Sequence, residues 1–463
     1  MSVGGHLSRF FQGSGDDMKD LVQDIFNLRQ HRRVVVTGIA GGGKTVFLTS
    51  LLSHLMEFGQ GNFHLGRGVD ISDFKEIPGQ KNWPPFFPHS SFREDLARGK
   101  WPEKTTDCSQ YTCQFRRSDW YFSAQRMSFF DFPGERIADA AIAAYSDYGE
   151  WSDHVLSHFT KHHDYAWAAG PYLEYIQGPE LSRDRLLSLY REVLARLILA
   201  YKPLITPSTF LLDQEGNPAA PGTVSEIASS RYTGISWSRQ FAPLPKGHRR
   251  ENPELTREMS AMYKQYRKQV VLPVFERISQ AQSLVVLVDI PSLLAGGVGR
   301  YNDNRQILLD LFEILRPRSD LGGLIRKYFK FWQKTLGRVA FVAAKADMVH
   351  PMDIENKRLQ SLLKMMTDRA AKMLPHVKCE WFVCSACHST FPVSGKRRLK
   401  GKLARNNPDK EFLEYSVPEL PRTWPKNWQP GDYQFYRIYP DAPENYLIPP
   451  RHMGLDRVFE FIS

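Results

Sequence analysis

Gly38-Ile-Ala40-Gly41-Gly42-Gly43-Lys44-Thr45 stands between two apolar runs, Arg33-Val-Val-Val-Thr37 and Val46-Phe-Leu-Thr-Ser-Leu-Leu52. A strand, a glycine loop and a helix in that order turn successive backbone N–H groups and a helix N-terminus toward one point. An oligophosphate's charge is met there by the amides, the helix dipole and one ammonium. In such a cradle Gly38 and Gly43 relieve the tight turn, while Ala40, Gly41, Gly42 and Val46 surround the phosphates. Lys44 reaches the β- and γ-oxygens, and the Thr45 hydroxyl sits on Mg²⁺.

Tyr111-Thr-Cys-Gln-Phe115 and Ser123-Ala-Gln-Arg-Met-Ser-Phe-Phe130 read as two strands joined by a turn, the second running straight into Asp131-Phe-Pro-Gly134. An Asp at a strand end beside the cradle is placed to hold Mg²⁺ through water, and Gly134 lets a backbone N–H approach the γ-phosphate. Far downstream, Arg338-Val-Ala-Phe-Val-Ala-Ala344 empties into Lys345-Ala346-Asp347, and Cys379-Glu-Trp-Phe-Val-Cys384 into Ser385-Ala386. These two resemble the base-recognition elements of P-loop GTPases. There an Asp two residues after a Lys pairs with guanine N1 and N2 hydrogens, the Lys stem lies along the base, and a Ser-Ala turn offers a backbone N–H to the guanine carbonyl. A carboxylate suits that task because it only accepts, selecting a base edge that only donates.

All four elements sit at C-terminal ends of strands, where open parallel sheets bind ligands. The expected fold is therefore α/β, a P-loop GTPase-type mostly parallel sheet with flanking helices and a large, mostly helical insertion. Ala344 departs from the superfamily pattern, which usually has Asn or Thr there to tie the base loop to the glycine loop. Weaker base selectivity or affinity is the expected consequence.

Taken together, the glycine loop, Asp131-Phe-Pro-Gly-Glu135, Ala344-Lys-Ala-Asp347 and the insertions between them resemble the YcjX family of bacterial P-loop GTPase-like proteins over nearly the whole chain. That resemblance implies a stress-associated protein that binds guanine nucleotide, GTP or GDP, with Mg²⁺. It supplies no substrate beyond the nucleotide.

For hydrolysis, Thr105 and Thr106 in Glu103-Lys-Thr-Thr-Asp107 are the candidates for sensing the γ-phosphate and completing the Mg²⁺ shell. Lys-Thr-Thr resembles the first switch of heterotrimeric G-protein α subunits, which carry a cis Arg three residues before the sensing Thr. With Thr105 as the sensor, that position is Pro102, leaving Arg98 and Arg136 as substitutes. Glu135 follows Gly134 where Ras-like enzymes carry a water-orienting Gln, and an ionised carboxylate there would repel the γ-phosphate. The expectation is a slow GTPase switch, dependent on an unidentified protein activator or partner. The alternative is a GTP-dependent scaffold or assembly protein with negligible turnover. An ATPase or nucleotide kinase would leave Lys345, Asp347 and Ser385-Ala386 without a task.

Length and composition set bounds. The chain has 463 residues, 42% of them hydrophobic, enough for two to four domains with a sizeable core. The division read from the motifs is a first GTPase part over 1–135, a helical insertion over 136–280 and a second GTPase part over 281–463 with a smaller insertion near 389–450. About 150 residues separate Asp131 from the next core strand at Ser283, far more than an ordinary connection. Within them Leu186, Leu187, Tyr190, Leu194, Leu197, Ile198 and Tyr201 predict one helix after Ser182. Leu255, Met259, Met262, Tyr263, Tyr266 and Val270 predict another after Asn252-Pro253. Phe63 to Asp107 reads as a mobile loop region, and Asp353 as the cap of a helix reaching Leu374. An amphipathic helix is expected over Asp17 to Leu28.

No apolar stretch approaches the roughly 18 residues of a spanning helix. The first 33 residues contain no apolar core of the signal-peptide kind. Together these predict a cytoplasmic protein. A net charge of +11 makes an anionic surface a suitable neighbour, either nucleic acid or the inner leaflet in a peripheral contact. The densest basic run is Lys396 to Lys402 with Arg405. Five cysteines argue against a disulfide framework. Cys384-Ser-Ala-Cys387-His388 has haem-attachment or zinc half-site spacing, but base recognition by Ser385-Ala386 explains it better. His154, His158 and His162 share a helix face without the intervening Glu of a zincin.

Overall fold

The computed structural model describes residues 31–463 except 39–40, 67, 79–84, 104–107, 120–123, 133–138, 162, 201–222, 230–235, 274, 276–279, 316–334 and 405–410. The expected helix over 17–28, Tyr201, Arg405 and His162 lie outside the described residues. So do Ala40, Thr105, Thr106, Gly134, Glu135 and Arg136 of the site.

Strands β1 (His31–Gly38), β2 (Ile71–Glu76), β3 (Ser109–Arg117), β4 (Gln125–Asp131), β5 (Ser283–Val288), β6 (Arg338–Ala343) and β7 (Lys378–Val383) form one sheet. Its order is β2-β3-β4-β1-β5-β6-β7. From β4 to β7 every pair is parallel, while β3 and β2 are added antiparallel at one edge. Runs such as Ser283-Leu-Val-Val-Leu-Val288 are buried at every position, as a strand covered on both faces must be. Alternation divides these strands between two cores. Val34, Val36, Val285 and Leu287 pack with Phe47, Leu51 and Leu55 of helix α1 (Lys44–Met56) and with Phe459 and Ile462 of helix α2 (Leu455–Ile462). On the other face, Val35, Leu284 and Val286 join the helices that lie between β4 and β5.

Two of those helices follow the expected periodicity. Arg183–Leu199 buries Leu186, Leu187, Tyr190, Leu194 and Leu197, and Pro253–Tyr266 buries Met259, Tyr263 and Tyr266. Buried tyrosines fasten this region through their hydroxyls. Tyr148 donates to Ala242 O (2.6 Å), Tyr172 to Pro243 O (2.5 Å), Tyr263 to Tyr145 O (2.6 Å) and Tyr266 to Asp139 Oδ2 (3.0 Å). A hydroxyl on an otherwise apolar ring meets buried carbonyls without leaving them unsatisfied.

Two expectations need correction. Phe63 to Asp107 is not simply loop, because it contains β2 and the helix His89–Ala97. Only Ile71 of β2 is buried, so its sequence has little apolar signal, and the backbone ladder with β3 holds it as an edge strand. Asp353 caps no helix. It lies inside the short helix Pro351–Glu355, whose cap is His350. Its buried carboxylate is held by Arg397, by Arg358 at 3.3 Å and by Leu420 N at 3.2 Å. A separate helix, Arg358–Lys372, starts after Lys357 in the left-handed region at φ 57°.

Between β7 and α2, β8 (Thr390–Pro392), β9 (Arg398–Lys402) and β10 (Phe412–Ser416) form a small antiparallel sheet. It encloses a core of Leu399, Tyr415, Val417 and Ile438.

Candidate functional site

β1 delivers Gly38 beside β5. A Cβ at Gly38 would lie 2.5 Å from the Leu287 carbonyl oxygen, so the strand can approach its neighbour this closely only without a side chain. After the turn, Gly41 and Gly43 take φ of 85° and 80°, left-handed values that suit glycine. Helix α1 then begins at Lys44 with Gly43 as its N-cap and no side chain capping it. A helix N-terminus of this kind, with no side chain capping it, suits an anion. The Lys44 ammonium is buried and donates to Gly38 O at 3.2 Å, folded back across the loop.

Register brings Asp131 to the same end of the sheet, since β1 and β4 pair Val36 with Asp131. Asp131 is buried, and Phe132 N donates to Val36 O at 2.9 Å. The remaining strands end in step. Ala343 of β6 lies between Val288 of β5 and Val383 of β7, which places Asp289, Lys345 and Ser385 side by side. Lys345 adopts φ 56°, a turn that non-glycine residues seldom make. Its ammonium reaches Asp289 Oδ2 at 2.6 Å. Asp289 also caps the helix Ile290–Ala295, accepting from Ser292 N at 3.0 Å and Ser292 Oγ at 2.6 Å. Burial pushes the Asp289 carboxyl up, but the Lys345 ammonium and the Ser292 hydrogen bonds outweigh it and hold the group below the usual carboxylate range.

Asp347 is buried with its carboxylate fixed. Oδ1 accepts from Ser385 Oγ at 2.7 Å and Oδ2 from Ser389 N at 3.1 Å. Each oxygen has a second lone pair, so two acceptor positions remain. In the adjoining turn Ser385 N donates to Met453 O at 3.0 Å. Among the described residues Ala386 N–H and Cys387 N–H of that turn donate to no backbone oxygen.

These parts converge on one cavity of about 480 Å³. Gly41 to Phe47 line it together with Ala344, Lys345, Asp347, Ser385 and Ala386. The expected residues Gly41, Gly42, Gly43, Lys44, Thr45, Val46, Lys345, Asp347, Ser385 and Ala386 are thus gathered. Gly38 and Asp131 do not line the cavity. Arg98 does not reach it either, and its guanidinium pairs with Glu94 at 3.1 Å. Ala344 is buried among apolar neighbours. Where Asn or Thr was expected to tie base loop to glycine loop, the Lys345 stem makes the approach, its Cε lying 4.0 Å from where a Gly43 Cβ would stand.

Several wall residues carry no signal in the linear sequence: Trp101 to Glu103, and Phe435, Arg437 and Ile438 from the region after β10; Asp289, which pairs with Lys345 but does not line the cavity, carries none either. Asp289 caps the helix that begins at Ile290, and its lysine partner is 56 positions away.

Among the described residues no group of three or more His, Cys, Asp or Glu side chains is arranged to hold a metal ion. Cys384 and Cys387 are buried, and burial pushes the Cys387 thiol up to about 12. His154 Nδ1 lies 3.3 Å from Tyr145 Oη, and His158 packs edge-on against Tyr165. No helix among the described residues is long and apolar enough to cross a membrane.

A family model describing YcjX-like proteins matches residues 32–463, a span that holds the glycine loop, both base-side turns and every strand but the first residue of β1.

Proposed function

The chain belongs to the YcjX-like family, and we propose that it is a Mg²⁺-dependent guanine-nucleotide-binding protein that hydrolyses GTP slowly, as a switch of P-loop GTPase type. What carries this reading is a single cavity lined both by a glycine loop of phosphate-cradle type and by a buried, oriented carboxylate. Asp347 and Ala386 N–H present two acceptor positions and one donor to a planar base. That set complements guanine N1–H, N2–H and O6 and leaves adenine's edge unmatched.

The cradle fits a triphosphate on its own geometry. Gly41 faces open space, α1 has no capping side chain, and Lys44 stands at its first turn. When bound, Mg²⁺ supplies charge neutralisation between phosphate oxygens. Thr45 in the first turn of α1 and Asp131 at the end of β4 would hold it, the latter through water. Such an ion takes most of its ligands from phosphate and water, so a cluster of protein carboxylates is not required. The ATPase reading is disfavoured because Asp347 is built into a base-side turn by three hydrogen bonds, from Ser385 Oγ, Ser389 N and Thr390 Oγ1.

The test is binding of labelled GTP, GDP and ATP with Mg²⁺ to the wild type, Lys44→Ala and Asp347→Asn, with phosphate release followed in the same samples. Guanine-selective binding that falls at least tenfold in both variants, with slow release in the wild type, is expected. ATP bound as tightly as GTP and indifferent to Asp347→Asn would overturn the base assignment.

A further inference from the structure

The segment after β10 contributes three residues to the cavity wall, Phe435, Arg437 and Ile438. Its backbone is fixed from two sides. Ala404 N donates to Arg437 O at 2.8 Å and Tyr439 N to Lys402 O at 2.7 Å, which extends the small sheet beyond β9. From the other side, Trp101 Nε1 donates to Ile438 O at 2.7 Å. Ile438 is buried in the core of the small sheet, whereas Arg437 is exposed. Alternation along an extended segment puts Phe435 and Arg437 on one face, opposite that core.

The charges around the cavity are unevenly matched. Lys345 is paired with Asp289, and Lys44 donates to Gly38 O. Arg437 makes no side-chain hydrogen bond and no ion pair among the described residues, although Glu103 stands on the same wall. An exposed arginine on the cavity wall, carried by an anchored backbone and with no carboxylate of its own, is complementary to an anionic ligand. Its planar fork suits phosphate oxygens in particular.

We propose that Arg437, carried by the C-terminal insertion, is a binding residue for the phosphate chain of the nucleotide. This rests on the nucleotide reading above and adds a residue to that site. The insertion would then form part of the wall of a cavity that the glycine loop also lines. The chain itself would provide a cation that neither Pro102 nor Arg98 provides.

The experiment measures affinities of GTP, GDP and guanosine, each with Mg²⁺, for the full chain as wild type, Arg437→Ala and Arg437→Lys. An exposed arginine can be replaced with little effect on folding, and thermal melts check this. Expected are losses of about tenfold for GTP and GDP in Arg437→Ala, no change for guanosine, and partial recovery in Arg437→Lys, which keeps the charge without the fork. Raising the salt concentration should shrink the difference between wild type and Arg437→Ala, because the contact is at the surface. Unchanged GTP and GDP affinities would overturn the proposal while leaving the nucleotide reading intact. A loss for guanosine as large as for GTP would also overturn it, since the contact would then be with the nucleoside. Failure of the wild type to bind GTP or GDP would overturn both.

Discussion

Asp289 holds the lysine that is expected to lie along the base. Lys345 stands in a left-handed turn, and its ammonium would be free to swing into solvent without the carboxylate 2.6 Å away. The same carboxylate caps the following helix through Ser292, so its two tasks can be separated by chemistry. Asp289→Asn keeps an oxygen to accept from Ser292 N and removes the charge facing Lys345. Affinity for GDP should fall several-fold while the thermal midpoint shifts by only a few degrees, as calorimetric titration and a melt of the same variant would read. An unchanged affinity would mean that Lys345 is positioned by its backbone alone. Lys345 and Asp347 were legible in the sequence because they follow an unbroken apolar strand. Asp289 was not, since Asp before Ile-Pro-Ser satisfies a helix cap by itself, and nothing local points to a lysine on the next strand.

At the scale of elements, one polar link between the sheet and the region packed behind it runs through Asp139. This residue follows directly after 133–138, the stretch that carries the glycine expected to contact a γ-phosphate. Its buried carboxylate accepts from Tyr266 at the end of Pro253–Tyr266. Beyond Tyr266 the chain makes a π-turn over Arg267–Val271, and Arg267 donates to Ile142 O and Ala143 O at 3.0 and 3.1 Å. One helix end thus grips both the stretch's C-terminal flank and the short helix after it. Tyr266→Phe removes the hydroxyl but keeps the ring, and should cost about 1–3 kcal/mol of unfolding free energy with GDP affinity retained. A urea titration with and without GDP would measure both. A midpoint equal to wild type would show that the grip is packing alone. The helix itself was legible from its three-and-four spacing. The tyrosine hydroxyl partners were not, because a tyrosine at a core position predicts burial without naming a carbonyl or carboxylate. β2 was illegible for the opposite reason, since only Ile71 is buried and it is held as an edge strand by the backbone ladder to β3 and by cross-strand pairs such as Glu76 with Tyr111.

The whole molecule is also held by imidazoles that it keeps neutral. His54 on α1 lies between Phe63 and His452 and hydrogen-bonds Pro450 O at 2.9 Å. His89 hydrogen-bonds Thr49 O at 3.1 Å and Ser53 Oγ at 3.2 Å. The helix that starts the phosphate cradle is therefore fastened to the His89–Ala97 helix and to the chain leaving the C-terminal insertion. Burial drives all three histidines down from 6.5, His54 and His89 to about 3 and His452 to about 4, with neighbouring positive groups adding to the shift for His54 and His89. Below pH 6.5 the unfolded chain takes up protons that these sites refuse, so stability is full above that value and is lost as pH falls toward 4. Asp310 works in the opposite direction, because burial raises it to about 6 and the fold then takes up a proton that the unfolded chain does not. At pH 5.5 each histidine costs on the order of 1 kcal/mol; three such groups outweigh the single carboxyl. Urea midpoints should therefore drop clearly between pH 7.5 and 5.5. Hydrogen exchange at pH 5.5 should quicken first around 450–453 and the end of α1, where the His54 and His452 rings meet. A midpoint constant across that interval would mean the imidazoles are protonated in the fold, and that the C-terminal insertion is joined to the cradle helix by something other than neutral histidine contacts.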